Sequence, residues 1–188
     1  GYYSGAGIFL YNGSSENILH IENSEVNNNT SKVSTSGKGG GIMFRDGSDL
    51  DFTLLNSSVS YNTSGYNGGG GIYYGDSYSG NAYIEGSFID NNTAGSLLYQ
   101  GDAYGGGIYI KSQMSEYMHT IKNTSISGNT ALKKGGGIYI YNNMTTTYEG
   151  ITSFENCQIN NNTLFTNSET DDGGAGVYAF IGNINHLN

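Results

Sequence analysis

Acidic and histidine side chains are the groups that could support catalysis or bind a metal, and their positions do not form a recognisable site. Enzymes acting on polysaccharides use paired carboxylates, and calcium sites use clustered oxygen ligands. Asp46 and Asp76 share one position in two copies of a repeat, whereas Asp171 and Asp172 lie in a variable segment. The three histidines, His20, His119 and His186, occupy different positions of the repeat. We therefore predict that the chain is not an enzyme and holds neither a metal nor a cofactor.

Composition restricts the class of partner. The chain has 188 residues, with 7 Lys and Arg against 16 Asp and Glu, and its formal net charge is -9 at pH 7. This charge disfavours nucleic acid and anionic membrane surfaces. No apolar run reaches the ~20 residues needed to span a bilayer, so we expect no membrane insertion of this segment. The first residues lack the pattern of a signal peptide, so we expect Gly1 to begin a processed or partial chain.

A single cysteine limits redox and metal chemistry. Cys157 has no second cysteine with which to form an intrachain disulfide. A free cysteine is among the most frequently buried side chains and behaves as a small apolar residue. We therefore expect Cys157 to pack in the interior.

Sequons for N-glycosylation, Asn-x-Ser/Thr, are unusually dense in this chain. They begin at Asn12, Asn28, Asn29, Asn56, Asn62, Asn91, Asn123, Asn143 and Asn161. In a secreted protein such sequons mark surface positions that accept a glycan. A chain rich in Asn, Ser and Thr also forms them by coincidence. Asn28, Asn91 and Asn161 are the preferred candidates, since each precedes an inward-facing Asn and should itself face outward.

Aromatic side chains recur directly after a β-branched residue and could bind carbohydrate. If the preceding residue faces the core, alternation along a strand exposes the next one. The column predicted to be exposed contains Phe9, Met43, Tyr73, Tyr109, Tyr139 and Tyr178. Stacked rings could bind sugars or another protein through Tyr73, Tyr109, Tyr139 and Tyr178. Alternatively, tyrosine simply suits a half-buried pleated surface.

These side chains belong to a repeat that has two signatures. The first is a glycine run followed by Ile or Val, and its copies begin near residues 5, 39, 69, 105, 135 and 174. The second reads Ile/Val-x-x-Asn-Thr, and its Asn members are Asn29, Asn62, Asn92, Asn129 and Asn162. Asn side chains stacked in register can hydrogen-bond from one copy to the next. We predict that these five residues form a structural Asn ladder, with ligand binding as the alternative.

The repeat predicts the fold class. Its apolar positions alternate with period two, as in "GIYIY", and no segment has helical spacing. A unit of this size cannot bury its apolar face alone, so neighbouring copies must stack on one another. We therefore predict an all-β fold over residues 1–188. It is a single-stranded right-handed parallel β-helix, or β-solenoid, of about five to six coils and part of a longer rod or stacked assembly.

The paired signatures resemble the GGAI and FxxN repeats of the chlamydial polymorphic outer membrane proteins. In this chain "GGGI" replaces GGAI, and Ile or Val replaces the Phe of FxxN, as in "IDNNT". The resemblance extends from Gly5 to about Phe180. It implies an adhesin-type, pectin-lyase-like right-handed β-helix at a cell surface.

The sequence thus predicts a non-catalytic, extracellular or cell-surface β-solenoid with a structural or adhesive role. It would be a surface adhesin repeat or a subunit of an extracellular filament that is glycosylated and self-associates laterally or head to tail. Glycans would be a covalent decoration or a ligand. The alternative is a carbohydrate-binding module or a polysaccharide-active enzyme on the same β-helix.

Overall fold

The structure, a computed structural model, describes ten stretches of the chain. They are residues 7–11, 17–31, 37–45, 50–66, 68–78, 80–96, 102–112, 118–142, 151–165 and 173–181. Within these ranges the regular secondary structure consists of β-strands. No helix among the described residues has the length and apolar character required to cross a bilayer. The strands in chain order are β1 (Ile8–Tyr11), β2 (Asn17–Glu22), β3 (Ile42–Arg45), β4 (Leu50–Leu55), β5 (Thr63–Ser64), β6 (Ile72–Tyr78), β7 (Ala82–Glu85), β8 (Thr93–Ala94), β9 (Ile108–Ser112), β10 (Met118–Lys122), β11 (Ser125–Ser127), β12 (Thr130–Ala131), β13 (Ile138–Asn142), β14 (Ile151–Glu155), β15 (Gln158–Asn160), β16 (Thr163–Leu164) and β17 (Val177–Ile181).

Successive strands of each sheet come from successive repeats. The first sheet has the order β1-β3-β6-β9-β13-β17, the second β14-β10-β7-β4-β2, and the smaller sheets β11-β15 and β16-β12-β8-β5. Every pairing in these sheets is parallel, so the chain winds as a β-solenoid. The predicted all-β parallel solenoid is confirmed. Within the described residues it has about four turns, slightly fewer than the five to six predicted.

Repeat positions stack in register and form the core. Ile42 pairs with Ile72, Ile72 with Ile108, and Ile108 with Ile138, and each of these four side chains is at most 1% exposed. The signature residues Val59, Ile89 and Ile126 face them from the third side of the coil, also fully buried. Because each coil buries its apolar residues mainly against the coils on either side, stability is shared between neighbouring coils.

Each glycine in the run has a different structural role, as the copy at residues 69–71 shows. Gly69 has a φ of +64°, a conformation that residues with a Cβ rarely adopt. A Cβ on Gly70 would lie 2.3 Å from the carbonyl oxygen of Gly106 in the next coil. A Cβ on Gly71 would lie 2.9 Å from Nδ2 of Asn92. The run therefore permits a sharp turn, close stacking of coils and contact with the Asn ladder.

Besides the glycine run, two further corners of the described coils have left-handed backbone conformations. One corner column contains Asn23, Asn56, Gly86, Asn123 and Asn156, and the other contains Asn28, Tyr61, Asn91, Gly128 and Asn161. Asn and Gly adopt positive φ more readily than other residues, which explains nine of these ten positions. Tyr61, with a φ of +58°, is the exception.

Candidate functional site

The five signature Asn residues lie in register and hydrogen-bond from coil to coil. Oδ1 of Asn92 accepts hydrogen bonds from the backbone N–H and from Nδ2 of Asn62, at 2.9 and 3.0 Å. Nδ2 of Asn92 also donates to the Val59 carbonyl at 2.8 Å. The same pattern continues between the other members, which are Asn29, Asn62, Asn92, Asn129 and Asn162. In this arrangement the amides stabilise the scaffold, and their hydrogen bonds leave little capacity for a ligand.

A second ladder, of hydroxyl groups, lies five residues before the Asn ladder. Oγ of Ser57 donates to the Leu55 carbonyl at 2.6 Å and accepts from the backbone N–H of Ser24 at 3.1 Å. Equivalent hydrogen bonds involve Ser87 and Thr124. In the last described coil Cys157 occupies this position, is partly buried, and donates to the Ile121 carbonyl at 3.2 Å. The hydrogen bonds of this column were not predicted from the sequence.

The sequons divide into exposed corners and buried ladder positions. Asn28, Asn91 and Asn161 are exposed at one corner. Asn56 and Asn123 are exposed at the other corner.

Asn62 was a glycosylation candidate, and that prediction is wrong for the folded protein. Its side chain is 0% exposed, and Nδ2 donates to the Val26 carbonyl and to Asn92. The candidates Asn12 and Asn143 lie outside the described residues.

The prediction of an exposed aromatic column holds for Phe9, which is 44% exposed, and is wrong for its central members. Tyr73, Tyr109 and Tyr139 are only 2%, 8% and 7% exposed, and Met43 is fully buried beside them. Their side chains leave the main core, but other residues cover them. Nζ of Lys38 donates to the Tyr73 hydroxyl at 3.0 Å.

Ring stacking holds this second apolar cluster together. Tyr139 stacks on Tyr109, Tyr104 and Tyr178, with centroid distances of 5.1, 4.8 and 5.4 Å. Burial, followed by the nearby Tyr178, Tyr141 and Asp102, raises the pKa of the Tyr139 hydroxyl to about 12. Tyr73, Tyr109 and Tyr139 therefore cannot form the sugar-binding stripe that the sequence suggested, and Tyr178 is only partly exposed.

Among the described residues, the two candidate histidines, His20 and His119, are not brought together, because their strands β2 and β10 are separated by β4 and β7 in the second sheet. His20 is exposed and 3.4 Å from Glu22, whereas His119 is 3% exposed with its ring against Tyr74. Burial lowers the pKa of His119 to about 4, so its imidazole is neutral at pH 7. Among the described residues no group of three or more His, Cys, Asp or Glu side chains could hold a metal. Four candidates fall outside them, namely Asp46, Asp171, Asp172 and His186, and for Asp76 only the backbone is described.

One groove combines an exposed aromatic ring with uncharged polar groups. It has a volume of about 140 Å³ and lies where the second sheet meets the β11-β15 sheet. Phe88, 57% exposed, is on one side and Gln158 on the other, with the smaller Ser125 between them in the same column. The corner residues Asn123 and Asn156 complete it. We name this depression the Phe88 groove.

Comparison within the column could have identified Phe88 from the sequence. The equivalent residues of the other coils are polar, namely Glu25, Ser58, Ser125 and Gln158. An aromatic side chain at an outward, otherwise polar position signals a local departure from the repeat. Sequence reasoning followed the glycine-run tyrosines instead and missed it.

One family model matches part of the chain. The family model described as Chlamydia polymorphic membrane protein (Chlamydia_PMP) repeat matches residues 123–141. This stretch contains the Asn129 signature of one coil and the glycine run that starts the next. No curated protein and no solved structure matches the chain. The match and the parallel β-solenoid confirm the resemblance to polymorphic outer membrane protein repeats.

Proposed function

We propose that this chain is a non-catalytic segment of a cell-surface protein, in which a β-solenoid presents its outer faces for adhesion. The observation that carries the proposal is the match of residues 123–141 to a polymorphic membrane protein repeat, set within coils of the same design. Repeats of that family come from membrane proteins of Chlamydia, which supports a location at the cell surface. The described coils keep their columns in register, as a scaffold requires.

Surface location and adhesion can be tested separately. Antibodies raised against the folded chain should label intact, unpermeabilised source cells, and external protease should remove the signal. Labelling that appears only after permeabilisation would contradict the proposal. Beads coated with folded chain should then attach to target cells, whereas beads coated with heat-unfolded chain should not. Equal attachment of both bead types would argue against adhesion by the folded solenoid.

Glycosylation at the exposed corner is a further part of the proposal. Asn28, Asn91 and Asn161 have the required Asn-x-Thr sequence and exposed side chains. The mass of the native protein before and after glycosidase treatment measures occupancy. An unmodified native mass would refute this part without affecting the adhesive role.

Self-association is the remaining part. The Asn ladder is directional, because each amide donates to the next coil along the chain. A second solenoid stacked in the same direction could continue the pattern, as a filament subunit would. Light scattering and negative-stain microscopy of native material test this, and a stable monomer at high concentration would exclude a filament.

A further inference from the structure

The Phe88 groove differs from the rest of its facet in size, exposure and polarity. Its column reads Ser58, Phe88, Ser125 and Gln158 through successive coils. Ser125 is small, so it leaves a depression between the two larger side chains. Phe88 and Gln158 are two coils apart, which is roughly 9.6 Å at the ~4.8 Å spacing of strands. This width accommodates one six-membered sugar ring.

The Phe88 ring supplies an exposed apolar face. Its side chain is 57% exposed although the facet is otherwise polar. The apolar C–H face of a pyranose can pack against an aromatic ring, which buries apolar area on both partners. A flat ring beside a narrow depression therefore suits a sugar better than a long apolar segment.

The polar side chains that line the groove are uncharged amides and hydroxyls. The Gln158 carboxamide makes no hydrogen bond with the protein within the described ranges. Nδ2 of Asn156 donates to Oδ1 of Asn123 at 3.4 Å, and no hydrogen bond among the described residues occupies Oδ1 of Asn156, which can accept one from a ligand. Carboxamides both donate and accept, which matches the hydroxyl groups of a sugar.

Carboxylates beside the groove select the charge of the ligand. Glu85 accepts a hydrogen bond from Nδ2 of Asn123 at 3.2 Å, and Asp90 accepts one from Oγ of Ser125 at 3.0 Å. The nearby Lys122 is paired with Glu155 at 3.2 Å, which leaves the surroundings of the groove acidic. Acidic and sulfated sugars would be repelled, in keeping with the net charge of -9.

We infer that the Phe88 groove binds a neutral hexopyranose of a cell-surface glycan, with its ring on Phe88 and its hydroxyls on Gln158 and Asn156. The inference deepens the proposed adhesive function and rests on it only for the source of the glycan. The site itself is a property of the folded chain, so it can be tested in solution.

The test is saturation-transfer NMR on the unglycosylated chain. The probes are the methyl glycosides of glucose, galactose, mannose and N-acetylglucosamine, with N-acetylneuraminic acid as the charged comparison. We expect at least one neutral glycoside to bind with saturation concentrated on one ring face. We expect no transfer to the acidic sugar.

Three variants locate the site. Phe88→Ser introduces the residue that flanks it in its own column and should weaken binding about tenfold. Gln158→Ala should weaken it about threefold. Tyr61→Asn removes an exposed aromatic ring from another corner and should leave the dissociation constant unchanged. Circular dichroism verifies that each variant keeps the β-solenoid fold.

Three outcomes would overturn the inference: no neutral glycoside binds, the acidic sugar binds equally well, or Phe88→Ser binds with unchanged affinity. Its failure is distinguishable from failure of the proposed function. A chain that labels intact cells and attaches to target cells but binds no glycoside contradicts only this inference. A chain that binds a glycoside through Phe88 yet is absent from the cell surface contradicts only the proposed function.

Discussion

The Asn92 and Asn129 side chains are joined amide to amide, with Nδ2 of Asn92 donating to Oδ1 of Asn129 at 3.0 Å. Both side chains are fully buried. The backbone N–H of Asn92 donates to the same oxygen at 2.8 Å, so one residue satisfies two donors of the preceding coil. Each Asn-to-Asn contact of this kind therefore joins the side chain and the backbone of one coil to the next coil.

Removing a central rung should destabilise the solenoid strongly. Asn92→Ala leaves three groups at fully buried positions without their partner, namely the backbone N–H and Nδ2 of Asn62 and the Val59 carbonyl. We expect the free energy of unfolding to fall by about 3 kcal/mol. Asn162→Ala is the matched control at a partly exposed rung, and it should cost about 1 kcal/mol. Urea denaturation measures both, and equal costs would contradict the role of burial.

The glycine preceding the core Ile should not tolerate a methyl group in the middle of the solenoid. In Gly71→Ala the new Cβ would lie 2.7 Å from the Gly107 carbonyl oxygen and 2.9 Å from Nδ2 of Asn92. We expect a loss of about 2 kcal/mol. At Gly176 the same Cβ would meet, among the described residues, only Ile159, at 3.7 Å, so Gly176→Ala should change stability by less than about 0.5 kcal/mol. Thermal denaturation of the two variants separates steric crowding from a general effect of alanine. Similar losses of stability in both variants would refute crowding as the cause.

Acid should weaken the fold through His119. Its pKa is about 4 in the folded state and 6.5 when unperturbed, so between these values the unfolded chain binds the extra proton. The stability contribution is present above pH 6.5 and is lost as pH falls through 4. A shift of this size corresponds to roughly 3 kcal/mol.

His119→Leu should remove this pH-dependent contribution to stability. Leucine already occupies the same column in another coil, at Leu19. The measurement is urea denaturation of both proteins at intervals from pH 7 to pH 4. The stability difference between variant and parent should grow in favour of the variant as pH falls. A difference that stays constant over that range would show that His119 does not carry the acid sensitivity.

Tyr61 adopts a left-handed conformation that disfavours aromatic residues. Its φ is +58°, while the equivalent residues Asn28, Asn91 and Asn161 are Asn, which adopts this region more readily. Tyr61→Asn should therefore raise the free energy of unfolding by roughly 1 kcal/mol. The reverse substitution in the same column, Asn91→Tyr, should lower it by a similar amount. Two changes of the same sign in denaturant titrations would rule out backbone strain as the cause.

Repetition made much of the fold predictable. The columns of Ile42, Ile72 and Ile108, and of Asn62 and Asn92, are visible in the sequence because stacked coils place equivalent residues over one another. The alternation of buried and outward residues likewise follows from strand geometry. Fold class and register were thus encoded locally, in the spacing of the two signatures.

The candidate site was not predictable in the same way. Alternation correctly placed Tyr73 and Tyr139 outside the main core, but it did not reveal that Lys38 and Tyr104 lie against them. The Phe88 groove depends on the sizes of side chains in three different coils, which become neighbours only when the chain has wound twice. A repeat alignment shows which residues share a column, whereas exposure also depends on the segments between repeats.

The sequence by itself determined that this chain forms a parallel β-solenoid, in which glycines make a turn of each coil and Asn side chains join one coil to the next. The reason is that a repeated unit with one apolar face can bury that face only against its own copies. Tertiary structure alone decided which outward residues reach solvent. It buried the tyrosines of the glycine-run column, exposed Phe88, and placed a neutral His119 in the interior. The physical reason is that hydrogen-bond register is set by local spacing, whereas solvent access is set by everything that packs above a residue.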